Sequence, residues 1–280
     1  MPQYRSQQSL SLTVLSISLI LALVLFGVRA KYSPGVYYAL AIAQLSVVCL
    51  AAWKLGAGRF RSEERVNFAL AGGLLIAPVA LLSLLPGVGP PGDQVPAENQ
   101  LRFLVLLVDA ILVAVGMGVL KEALVQHGER VFSTLAFTSI TLASPLYILF
   151  TGIQYSDYVA QDRGWSWAAS VDGSLHELSP LDTLSVTLLF FGGVLTYLAT
   201  AAFAMSLRQT QWLGRKVAHA FVIASLFAVT CLVIRGLDYP GLAAAFGHWY
   251  TIPGFVVGIP AVPWIMPCML GVLLLRRAGR

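Results

Sequence analysis

Apolar runs of about the length of a membrane crossing recur eight times along this chain, and that recurrence constrains the fold more than any motif does. A helix needs about 20 predominantly apolar residues to cross roughly 30 Å of hydrocarbon, where its peptide groups find partners only within the helix itself. Eight segments meet that length: Ser11 to Val28, Val36 to Leu55, Val66 to Leu85, Leu101 to Leu120, Val131 to Ile153, Leu181 to Leu207, Val217 to Ile234 and Ile252 to Leu275. Only 11% of residues are charged and 58% are hydrophobic, against about a quarter charged in soluble domains. The ten-residue alternating strands of an outer-membrane barrel are absent. The expected fold is therefore an all-α integral membrane protein, an eight-transmembrane-helix bundle forming a single polytopic membrane domain over residues 1–280. The first run exceeds the about 7 to 15 apolar residues of a signal peptide and is read as a retained span.

Basic residues predict the orientation, because Lys and Arg are held on the cytoplasmic side of short loops. Thirteen of the 18 fall on one side: at both ends of the chain and in the loops after spans two, four and six. The other five are Arg29, Lys31, Arg102, Arg163 and Arg235. A cell-membrane protein with both termini in the cytoplasm is expected. The net charge of +5 follows from the same bias, so the bilayer and its anionic headgroups are the expected partner, and nucleic acid is not. Cys49, Cys231 and Cys268 all fall inside spans, where thiols behave as small apolar groups.

Three connections stand out. Pro86 to Gln100 (PGVGPPGDQVPAENQ) cannot be helical throughout, because four prolines remove donors and restrict their predecessors. Gln154 to Pro180 is read as the longest connection, an external acidic and aromatic loop that caps the bundle. Arg59 to Arg65 (RFRSEER) is a mixed cluster that solvates a helix end.

Inside the spans one residue departs from the pattern. Asp109 lies eight residues after Leu101, about 12 Å below the outer surface at 1.5 Å per residue. Ionisable groups at such depth face an interior, pair, or stay protonated, and they mark function more often than ordinary polar residues do. Asp109 is read either as a proton-coupling group or as an acid bonded to a neighbouring helix. Gln44, eight residues into span two, and Pro260, eight into span eight, fall at a similar depth, as does Pro145. Span eight carries Pro253, Pro260, Pro263 and Pro267 with Gly254 and Gly258, so it should be kinked or partly unwound, with freed carbonyls seeking partners. Arg235 and Asp238, three apart at the outer end of span seven, are placed to pair on one helical face. The candidate site is thus Asp109, Gln44, Arg235, Asp238 and Pro260, for substrate binding or proton coupling. The pairs Gly72-Gly73, Gly116 with Gly118, and Gly192-Gly193 are read as places of close helix packing.

No catalytic residue or metal site is assigned, and no cofactor is specified. The four histidines, His127, His176, His219 and His248, lie in loops or at helix ends, which gives a bis-histidine haem little support. No HExxH, GxSxG or Walker sequence is present. Tyr32 to Gly35 (YSPG), with IRGLDYPG and GHWY, resembles the fungal lipid-translocating family of seven-span proteins. The chain departs from that family by an extra first span and by intervening helices without the family's polar residues. Three functions are weighed: a small transporter or permease for a small apolar or cationic substrate, a membrane-embedded enzyme acting on a lipid or isoprenoid, and a structural or assembly subunit with membrane-complex partners. Transport is favoured, because one buried acid and a broken span suit it and no catalytic constellation is visible.

Overall fold

The computed structural model describes residues 2–28, 30–57, 63–87, 96–163, 180–237 and 249–279. The described chain is all-α: α1 (Pro2–Gly27), α2 (Pro34–Ala52), α3 (Glu63–Leu81), α4 (Pro96–Gln126), α5 (Val131–Asp162), α6 (Pro180–Gln209), α7 (Arg215–Leu237), α8 (Ile252–Val257) and α9 (Val262–Ala278). Seven helices, α1 to α7, are long and apolar enough to cross a membrane, and the pair Trp249–Val257 and Val262–Ala278, bent by 54°, makes an eighth crossing when counted as one span. The chain is a multi-pass helical membrane protein.

Two helices extend into segments read above as connections. Pro96 to Gln100, assigned to a loop above, form the first residues of α4, where a proline at the helix start loses no hydrogen bond. The α5 helix runs on to Asp162, so Tyr155, Asp157 and Tyr158 lie on a helix rather than in the long connection. Local polar pairing supports this extension: Gln161 Nε2 donates to Asp157 Oδ2, one turn away, at 2.8 Å. The Tyr158 ring also stacks on Phe103, with centroids 5.7 Å apart. The rest of that connection, 164–179, lies outside the described residues, as do 59–62 of the RFRSEER cluster and 88–95.

The chain divides into two compact units, Met1–Gln94 with Leu112–Gly128 and Pro267–Arg280, and Val95–Ile111 with Glu129–Met266. In the first, Leu15 and Leu19 of α1, Val48 of α2, Ile76 and Val79 of α3, and Val272 and Leu275 of α9 form the core. Here α3 and α9 meet backbone to backbone. A Cβ on Gly72 would stand 2.8 Å from the Gly271 carbonyl oxygen, and one on Gly271 would stand 2.6 Å from that of Gly72. Between α2 and α3 the chain makes a π-helical turn, Trp53–Ala57, whose Gly56 leaves no room for a Cβ beside the Leu275 carbonyl. The expected close packing thus holds at Gly72, whereas a Cβ on Gly73 would meet nothing within 4 Å.

In the second unit Tyr197 of α6 packs with Ala228 and Leu232 of α7. The bend in the last span is confined to Gly258–Ala261, where Ala261 adopts a φ of 77°, a left-handed conformation uncommon for a residue with a side chain. The prolines explain its position. Pro253 sits in the first turn of α8, where it is tolerated, and Pro263 likewise falls in the first turn of α9. Pro260 lies in the break itself.

Candidate functional site

The α4 helix positions the buried carboxylate. Asn99, Arg102, Leu106 and Asp109 recur at helical spacing along one face, and all are enclosed: Arg102 is 2% exposed and Asp109 0%. Arg102 and Asp109, seven residues apart, share that face about 10 Å apart along the axis at 1.5 Å per residue. The Arg102 guanidinium donates from Nη1 to Asn99 Oδ1 at 2.9 Å. Among the described residues, neither carboxylate oxygen of Asp109 has a hydrogen-bond partner. A buried polar group without a partner is costly, and in a native structure it points to a function or to a missing ligand, water or proton.

The other expected site residues fall in different places. Gln44 is on α2 in the first unit, and its Nε2 donates to the Ser18 carbonyl oxygen of α1, which makes it a tie between two helices. Arg235 closes α7, with its guanidinium carbon 5.1 Å from the centre of the Phe255 ring. Its Nη1 lies 3.1 Å from where a Cβ on Gly258 would be. The structure therefore brings Arg235 to the break that contains the half-buried Pro260, at the carbonyl end of α8, where a cation is favoured. Within the second unit, no hydrogen bond among the described residues links Asp109 to Arg235 or to the break. Asp238 and His248 lie outside the described residues.

The break leaves carbonyls to satisfy, and a hydroxyl supplies one partner: Tyr197 donates to the Val257 carbonyl oxygen at 3.0 Å. Nearby in the same unit, Tyr147 of α5 and Trp264 of α9 are each 2% exposed, with ring centroids 5.3 Å apart. Gly192 of α6 makes room for the Tyr147 ring, whose edge is 3.2 Å from where a Cβ would stand.

Glu129, between α4 and α5, forms a second polar cluster that sequence reasoning missed. Its carboxylate accepts from the Phe132 and Ser133 backbone N–H groups at 2.8 and 2.9 Å and from the Ser206 hydroxyl of α6, so it caps α5 and ties it to α6. Burial pushes this carboxyl up, but the bonds from Ser206, Phe132 and Ser133 outweigh that effect and hold it below the usual glutamate range. The signal available in the sequence was an acidic residue just before an apolar run. Arg102 was also missed, because it was counted as a topology charge at a helix end. Among the described residues, no three of His, Cys, Asp and Glu gather as metal ligands. His127 Nδ1 instead lies 2.7 Å from the Ala123 carbonyl oxygen, and His219 Nε2 lies 3.2 Å from Arg208 Nη1.

No family model, curated protein or solved structure matches the chain. The short likeness to the lipid-translocating family therefore carries no argument further, and the class the fold defines is a polytopic helical membrane protein.

Proposed function

We propose that the protein is a small transporter or permease of a cell membrane, with both termini in the cytoplasm, in which protonation of Asp109 is linked to occupancy by a small apolar or cationic substrate. The observation that carries this reading is Asp109 itself: a carboxylate enclosed on a membrane-spanning helix, with neither oxygen bonded within the described chain. Intramembrane carboxylates that face an interior serve as proton relays, and no hydrogen bond within the described chain commits Asp109 to a packing role. The break at Gly258–Ala261 supports the same reading, since discontinuous spans are where transporters gather substrate contacts. The 13-to-5 distribution of basic residues supports the orientation, and the whole chain is taken as one polytopic domain.

The test is uptake of tetraphenylphosphonium, an apolar cation, by vesicles reconstituted with the protein under an imposed pH gradient. Wild type should exceed empty vesicles several-fold, and Asp109→Asn should fall to their level. Equal uptake by wild type and empty vesicles would remove the cationic-substrate form of this reading, and equal uptake by wild type and variant would remove the role of Asp109.

A further inference from the structure

Two adjacent rings in the second unit, with centroids 5.3 Å apart, each carry a hydrogen-bond donor without an adequate acceptor. The Trp264 indole N–H is fully enclosed and has no partner among the described residues. The Tyr147 hydroxyl is 3.5 Å from Thr196 Oγ1, beyond the about 2.5–3.0 Å usual between hydroxyl oxygens, and Thr196 commits its own proton to the Gly192 carbonyl at 2.8 Å. Both rings are buried and tilted across one another at 60°; the Tyr147 ring lies against Gly192, and Leu232 lies beside Gly193. A Cβ on Gly193 would lie 4.0 Å from the Tyr147 hydroxyl and 3.8 Å from the Pro263 ring. Two donors set among aromatic rings and glycine backbone suit one acceptor atom carried on an apolar skeleton.

We propose that the Tyr147 hydroxyl and the Trp264 indole N–H together hold the oxygen of a small apolar molecule, a ketone, ester or ether, between α5, α6 and the start of α9. The break at Gly258–Ala261 immediately precedes this part of α9, so a change in the bend would move Trp264 relative to Tyr147 and open or close the pair around the ligand. The inference rests on the transport reading only in regarding that molecule as a substrate; the binding itself stands apart from uptake.

Benzophenone, an apolar ketone that inserts into nearby C–H bonds on illumination, is the probe. With the purified full-length protein, peptides containing Tyr147, Gly192–Thr196 or Trp264 should carry the label. Dicyclohexyl ketone should displace it, whereas dicyclohexylmethane, which has the same shape but no oxygen, should not. Tyr147→Phe keeps the ring and removes the donor, Trp264→Phe replaces the indole by a smaller aromatic ring without a donor, and each should lower labelling at these peptides about tenfold, the loss of one good hydrogen bond. If Trp264→Phe does not fold, Tyr147→Phe and the two competitors still decide the matter. Labelling confined to other peptides, equal displacement by both competitors, or no labelling because water fills the pair would overturn the proposal. Labelling as expected without uptake in the vesicle assay would leave the site standing and count against transport.

Discussion

Tyr197 donates its hydroxyl to the Val257 carbonyl oxygen at 3.0 Å, and so binds α6 to the last turn of α8 at the point where the final span breaks. Four residues on from Val257, Ala261 lies inside the bend and is not aligned to serve that carbonyl as it would in a continuous helix. Removing the hydroxyl by Tyr197→Phe should therefore destabilise the protein by about 1 kcal/mol, between the ~0.6 average of intramembrane hydrogen bonds and the ~1–3 cost of an orphaned buried acceptor. Unfolding in mixed detergent micelles measures this, and an unchanged midpoint would show that the bend stands without Tyr197.

Gly72 and Gly271 face one another so closely that either Cβ would press on the other's carbonyl oxygen. Backbone cannot swing aside as a side chain can, so Gly72→Ala or Gly271→Ala should cost about 1–3 kcal/mol, the range for overpacking a close-fitting contact. Gly73→Ala is the control on the same helix: a Cβ there meets nothing within 4 Å, and alanine's better helix propensity should make it neutral or stabilising by up to about 1 kcal/mol. Equal effects at the two neighbouring glycines would contradict the assigned contact of α3 with α9.

Glu129 should make stability fall at acid pH. Its carboxyl titrates below the usual glutamate range in the folded chain, so its contribution is complete above the ordinary value of about 4.3 and is lost as the pH drops through the lower folded value. Replacing the cap by Glu129→Ala should cost about 0.5–2 kcal/mol at neutral pH. Glu129→Gln should flatten the thermal unfolding profile between about pH 6 and pH 3 relative to wild type. Parallel profiles for the two proteins would show that another group governs the acid limb.

The sequence was most informative where one physical length decides the outcome. About 20 apolar residues are required for a crossing, and all eight segments with that length became helices long enough to cross or the bent pair. Polar ends were harder, because hydropathy does not mark where a helix starts beyond the hydrocarbon. The Pro96–Gln100 start of α4 was hidden for this reason, and with it the fact that Arg102 is enclosed on the same face as Asp109. Proline chemistry predicted that the last span would break but left four positions open; only packing distinguishes Pro260 in the bend from Pro253 and Pro263 in first turns. Asp109 was legible as a lone carboxylate in an apolar run. The meeting of Tyr147 with Trp264 was not, since residues on separate helices converge only through tertiary packing.

The measurement closest to the central claim is proton movement itself, followed with a pH-sensitive dye trapped in vesicles containing the protein. Addition of tetraphenylphosphonium should shift the internal pH with wild type and leave it unchanged with Asp109→Asn, while Gly73→Ala, whose Cβ would meet nothing within 4 Å, should retain the signal. A full pH response from Asp109→Asn would contradict the assignment of the proton to that carboxylate.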